Sequence, residues 1–150
     1  KNINFTAGCI VGNNNGFVGL GFGKARETVP AREKSVRQAK LNVIKIRRGC
    51  GSWDCNCKTP HSVPYKVVGS CGSIRVELIP APKGTGLVIG KECQKILKFA
   101  GIKDIHSQCY GHTATKINLV KACFDALKRL SKVKTMPDAI AKLGIVDGAI

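Results

Sequence analysis

The chain has 150 residues, of which 43% are apolar, enough for one packed domain or two small ones. Lys and Arg number 25 against nine acidic residues, and the formal charge of +16 far exceeds the roughly 2–8 usual for a small domain. The excess divides evenly, with 11 basic and three acidic residues up to position 62 and 14 and six beyond it, so the pattern excludes a detachable basic tail and points to a polyanionic partner. No apolar run reaches the ~18–20 residues of a membrane span, and no basic-then-apolar leader opens the chain. Eight cysteines are therefore expected in a reducing cytoplasm, with no membrane partner.

Residues 5–11 alternate, with Phe5, Ala7, Cys9 and Val11 on one parity, and Gly12-Asn13-Asn14-Asn15-Gly16 supplies a turn. A second strand over residues 17–24 puts Val18, Leu20 and Phe22 on one side and Gly19, Gly21 and Gly23 on the other. A bare strand face admits either a close-packed neighbour or the backbone of a nucleic acid, and the sequence leaves both open. Thr28 suits a helix cap with Pro30 in the first turn. Val29, Val36, Ala39, Val43 and Ile46 recur at helical spacing and predict a helix running to about Arg48. Lys34, Arg37, Lys45 and Arg48 then gather within roughly 80° of the opposite face, at about 100° per residue. They share one sign with no acidic partner expected at i,i+4, which reads as a phosphate track.

Residues 47–61, RRGCGSWDCNCKTPH, are too heavily punctuated by glycine and proline for a helix or strand. Cys50, Cys55, Cys57 and His61 are three soft thiolate donors and an imidazole, a set that suits one tetrahedral zinc ion. Such an ion would shape a loop instead of running a reaction. The Cys-x-Cys spacing is tighter than a usual zinc knuckle, and Cys71 from the adjoining hairpin is an alternative ligand. The competing reading is a cluster of reduced thiols with Trp53 and Pro60 pinning the loop.

A hairpin follows over residues 63–79, turning at Ser70-Cys71-Gly72. Pro80-Ala81-Pro82-Lys83-Gly84-Thr85-Gly86 breaks the strand, and Leu87-Val88-Ile89 leads into a helix with Cys93, Ile96, Leu97 and Ala100 on one face and Gly101 as its stop. A strand over residues 102–109 precedes a helix over 115–131 that is expected to bury Ile117, Val120, Phe124 and Leu127. The tail, residues 135–150, predicts one short helix over 137–143 and is otherwise loosely specified. The glycine-rich run ending in Gly90-Lys91 fails as a nucleotide-binding loop: the spacing from Gly86 is one residue short, and Glu92 stands where a Mg²⁺-binding hydroxyl belongs. A backbone nest beside Lys83 remains, suited to a polymer phosphate. His61, His106 and His112 are scattered, no catalytic signature occurs, and an enzyme is not expected.

The order of these motifs resembles one family. The run from Gly16 through Gly23-Lys24-Ala25, Pro60-His61, Gly72-Ser73-Ile74, the PAPKGTG loop, LKFAGIKD from Leu97 and ACFDAL from Ala122 are similar to small-subunit ribosomal protein five, and the cysteine segment and the ending LGIVDGAI look archaeal. The resemblance implies an α+β fold. Residues 1–62 would be a double-stranded-RNA-binding-like domain that begins inside the family's first domain, residues 63–134 a C-terminal β-α-β domain, and residues 135–150 a tail. It further implies a structural constituent of the small ribosomal subunit, bound to rRNA near the decoding region and the mRNA entry path, supporting fidelity and touching ribosomal proteins four and eight. The expected RNA-binding set is Gly19, Gly21, Gly23, Lys24 and Arg26, the basic residues Lys34, Arg37, Lys45, Arg47 and Arg48, and Lys83, Gly84 and Thr85 of the second-domain loop. The alternatives are a free double-stranded-RNA-binding regulator and a zinc-dependent nucleic-acid enzyme.

Overall fold

A computed structural model of the protein describes residues 1–148, and the last two residues of the expected tail lie outside that range. The elements run β1 (Phe5–Gly12), β2 (Phe17–Ala25), α1 (Thr28–Leu41), β3 (Ile44–Lys45), β4 (Arg47–Arg48), β5 (Val67–Cys71), β6 (Ile74–Ile79), β7 (Leu87–Val88), α2 (Lys91–Ala100), β8 (Ile105–Tyr110), α3 (Lys116–Leu130), α4 (Pro137–Leu143) and β9 (Val146–Asp147). Helices and mainly antiparallel sheets make this an α+β chain, as expected.

The first sheet, ordered β1-β2-β3, is antiparallel, with Phe5 opposite Ala25 and Gly12 opposite Val18. The β1–β2 turn is set by Asn13, whose Oδ1 accepts the N–H groups of Asn15 and Phe17 at 2.9 and 3.3 Å. Helix α1 lies on the glycine face of β2. A Cβ at Gly21 or Gly23 would come within 2.5 Å of the α1 backbone, at Ser35 O for Gly21 and at Ala31 O and Ser35 N for Gly23, and one at Gly19 would strike Ala39 O. Of the two readings of that bare face, close packing holds. The backbone approach of RNA to Gly19, Gly21 and Gly23 is corrected, because α1 already covers them.

The glycine face also explains why α1 departs from its predicted pattern. Its buried residues are Ala31, Ser35 and Ala39, a stripe of small side chains at i, i+4, i+8, while Val29 and Val43 are exposed. Contact with bare backbone selects for size over apolarity. The helix ends at Leu41 and not near Arg48, because Asn42 leaves helical backbone and donates from Nδ2 to Leu20 O. Lys45 and Arg48 consequently sit on strands β3 and β4 and share no helix face with Lys34 and Arg37.

The second large sheet has the order β5-β6-β8-β7, antiparallel except for the parallel β7–β8 pair that α2 connects. Helix α2 buries the predicted Cys93, Ile96, Leu97 and Ala100, and Gly101 closes it at φ 88°. Helix α3 buries Leu119, Ala122, Cys123, Phe124, Ala126, Leu127 and Leu130. Of its predicted stripe, Ile117 is exposed and Val120 only half-buried against the core; both line a groove beside β1, β2 and α2. One core cluster joins Val18, Leu20 and Ile46 to Val63, Val76, Leu78, Ile96 and Leu97.

Helix α4 forms over the predicted residues, but the chain after it is well specified. Strand β9 pairs with β4, Arg47 opposite Asp147 and Arg48 opposite Val146, and Gly148 N donates to Ile46 O at 3.0 Å. The tail therefore docks on the segment that leads into the cysteines.

Candidate metal centre and nucleic-acid interface

Three constraints bring residues 50–61 together. Gly49 and Ser62 exchange backbone hydrogen bonds at 2.8 and 2.9 Å, closing the base of the loop. Cys50 N donates to Leu143 O at 2.7 Å, anchoring the loop to the end of α4. Lys58 adopts φ 53°, a left-handed turn that folds the tight Cys-x-Cys pair back toward His61. The donor atoms of Cys50, Cys55, Cys57 and His61 all lie within 4.8 Å of one another. Individual separations are 3.1 Å for Cys55–Cys57, 3.4 Å for Cys57–Cys50, 3.3 Å for His61 Nε2–Cys50 and 3.6 Å for His61 Nε2–Cys55. With Zn–S of about 2.3 Å and Zn–N of about 2.0 Å, a tetrahedral site has edges of about 3.8 Å between sulfurs and about 3.6 Å from sulfur to nitrogen. Those four separations are at or below these edges, and the cluster suits zinc in donor type and number. Cys71 is not among its donors; it lies at the β5–β6 hairpin, where its Sγ faces Asn118 Oδ1 at 3.8 Å. Trp53 is 92% exposed, so it does not pin the loop.

The thiols are not equivalent. A hydrogen bond from the Thr59 hydroxyl, 3.2 Å from Cys57 Sγ, is the largest influence bringing Cys57 down to about 6. Burial pushes the Cys50 thiol up to about 12. His61 Nδ1 lies 2.7 Å from Asp104 Oδ2, both side chains almost fully buried; the distance suits an N–H···O bond although the angle falls short of good alignment. Cys50, His61 and Asp104 are thus in line like a nucleophile, base and orienting acid. The chemistry is wrong for that role, since a nucleophilic thiol needs exposure and a lowered pKa, and Cys50 has neither. The arrangement instead matches a metal-bound imidazole steadied from behind by a carboxylate.

The expected RNA-binding residues divide by environment. Lys24, Arg26, Lys34, Arg37, Lys45 and Lys83 are exposed. Arg37 does have an acidic neighbour one turn away, Glu33 at 3.9 Å, and with both side chains in solvent that pair leaves the guanidinium accessible. Arg47 and Arg48 are corrected as surface contacts. Arg47 donates to Asp147 Oδ1 at 2.9 Å, Tyr65 Oη at 3.1 Å and Val133 O at 2.6 Å. Arg48 is buried and donates to Asn15 Oδ1 at 2.8 Å and Gly148 O at 3.1 Å. Each guanidinium binds the returning tail in place of a phosphate. The nest of the PAPKGTG loop is likewise filled from within: Gly84 N and Gly86 N donate to Asp104 Oδ1 at 3.2 and 2.9 Å, and Thr85 Oγ1 donates to Pro82 O at 2.8 Å.

Comparison with known proteins matches residues 1–47 to the model of ribosomal protein S5, N-terminal domain, and residues 69–143 to that of ribosomal protein S5, C-terminal domain. The chain belongs to the ribosomal protein S5 family. Proteins named small ribosomal subunit protein uS5 from three archaea are similar along nearly its full length. That of Methanocaldococcus jannaschii is 51% identical over 97% of this chain and 67% of its own length. Those of Methanothermobacter thermautotrophicus and Nanoarchaeum equitans are both 52% identical, over 97% and 94% of this chain. The chain spans 61% to 67% of the length of these S5 relatives. The Cys50–Cys55–Cys57–His61 cluster falls between the two S5 family matches, in residues that neither covers. Asp104 enters the sequence reading only as the end of the LKFAGIKD motif, a lone acid next to Lys103, and nothing there announces a contact with His61.

Proposed function

We propose that the chain acts as a structural, non-catalytic constituent of the small ribosomal subunit in the cytoplasm, binding rRNA by phosphate neutralisation and shape. The observation that carries this reading is how the charges are distributed. Five of the nine acids, Glu33, Glu77, Glu92, Asp125 and Asp147, have a Lys or Arg partner and Asp104 is turned inward on His61, while Lys24, Arg26, Lys34, Arg37, Lys45 and Lys83 face outward. Residues 1–62 would form a double-stranded-RNA-binding-like platform and residues 63–134 a second RNA-facing domain. By family likeness, the site of action is near the decoding region and the mRNA entry path, beside ribosomal proteins four and eight, in support of fidelity. One zinc ion on Cys50, Cys55, Cys57 and His61 would supply no reaction; it would fix the loop between the two sheets.

Two measurements test this. Tagged protein should co-sediment with small subunits and stay bound at moderate salt, and RNA crosslinks should map to the exposed cations; a free regulator would wash off. Purified protein should carry one zinc, lost in Cys55→Ser. A metal-free protein with an ordered loop would sink the metal assignment.

A further inference from the structure

Asp104 touches two things at once. Its Oδ2 faces His61 Nδ1 at 2.7 Å, and its Oδ1 accepts Gly84 N and Gly86 N at 3.2 and 2.9 Å. The same stretch is locked to His61 a second time, because Lys103 N and Asp104 N both donate to His61 O at 2.9 and 3.0 Å. Gly84 and Gly86 hold φ values of 95° and 78°, and a Cβ built on either meets nothing within 4 Å. No packing therefore imposes their left-handed conformations. The carboxylate shapes the loop together with the Thr85–Pro82 contacts and the Ile105 N–H, which donates to Gly86 O at 3.0 Å. Lys83, exposed, rides on it, and beside it a cleft of about 700 Å³ is lined by Lys83 and Lys103.

We propose that Asp104 is a positioning residue that couples the Cys₃His centre to the Lys83–Gly86 loop, so that metal occupancy sets how well Lys83 and Lys103 engage an RNA phosphate backbone. This rests on the zinc and RNA readings above. The physical sequence is short. A metal on His61 Nε2 requires the proton on Nδ1, where Asp104 Oδ2 receives it. With His61 fixed, Asp104 Oδ1 stays aimed at the two glycine amides. Without the metal, three thiols and an imidazole gathered within 4.8 Å of one another lose the charge that holds them together, and the far end of the chain of contacts loosens with them.

The test uses the whole chain, zinc-loaded, and Asp104→Asn. The substitution is nearly isosteric, but its amide can place an N–H against Nδ1, favouring the tautomer that cannot bind metal at Nε2. Zinc affinity, read by competition with a chromophoric chelator, should fall about tenfold or more. Exchange of the Gly84 and Gly86 amides should accelerate about tenfold in wild type on zinc removal, and in Asp104→Asn even when loaded, while the Val76 and Leu78 amides of β6 hold as references. For a mixed-sequence RNA duplex the sign decides. Losing one negative charge should by itself tighten RNA binding, whereas loss of positioning should weaken it about threefold. Tighter binding, or unchanged amides and zinc affinity, overturns the coupling. If stripping zinc unfolds the β6 references as well, the loaded Asp104→Asn protein decides alone. Wild type that binds no zinc overturns the metal reading and this proposal together; zinc bound at one equivalent with no coupling overturns this proposal only. Lys83→Gln serves as the control, expected to weaken RNA binding and leave zinc affinity unchanged.

Discussion

The glycine face of β2 and the cysteine segment each join one part of the fold to another, by opposite means. At the first, Gly19, Gly21 and Gly23 meet Ala31, Ser35 and Ala39 of α1, and the junction closes because side chains are missing. At the second, four donor side chains converge, and the junction closes only as well as those thiols and the imidazole can be held. Backbone against backbone has no proton, electron or ion to gain or lose. A thiol cluster has all three. One junction of this molecule is therefore open to chemical change and the other is not, although both drew attention in the sequence by an unusual residue composition.

The sharpest way to break the comparison is to put a side chain where none fits. Gly21→Val would drive atoms into the α1 backbone, and a loss of about 3 kcal/mol or more is expected in urea unfolding; a loss under about 1 kcal/mol would mean that α1 can slide. Removing zinc should come next. At a free zinc concentration of about 100 times Kd the ion contributes about 2.7 kcal/mol, so chelation should lower Tm by roughly 5–10 °C. Amide protection across β1, β2 and α1 should not change, and if it did the two junctions would not be independent. In metal-free protein at neutral pH, Cys57 should be alkylated well before Cys50, because its value near 6 leaves it a thiolate and the Cys50 value near 12 keeps it a thiol. Lowering the pH through 6 should slow the Cys57 reaction, about tenfold per unit below that value, as Cys57 takes up its proton, while Cys50 stays unreactive; peptide mass spectrometry reads both. The smallest effect is expected at Arg37→Gln. Its exposed pair with Glu33 should cost under about 0.5 kcal/mol of stability, while the salt slope of RNA binding should fall by about 1.

What could be read from the sequence follows the range of the forces involved. The buried face of α2, its Gly101 stop and the limits of α4 are local patterns, and they appear as expected. The convergence of Cys50, Cys55, Cys57 and His61 was legible because three thiols and an imidazole fall within one short segment. The buried face of α1 was not, since Ala and Ser carry little hydropathy contrast and the apolar valines misled. Arg47 and Arg48 read as phosphate contacts because nothing nearby shows that Asp147 and Gly148 return from 100 residues downstream to bind them. The contacts of Asp104 with His61, Gly84 and Gly86 were invisible for the same reason. Long-range polar pairing leaves no periodicity to detect.

Trp53 is the single tryptophan of the chain, and it stands in solvent at the tip of the cysteine loop, between Cys50 and Cys55. The protein's tryptophan fluorescence therefore belongs to one loop and not to the core. Native protein should emit as far to the red as an unfolded chain commonly does, and a fluorescence melt would pass over the collapse of both sheets with little change. Binding at the loop, by contrast, would be seen without a label.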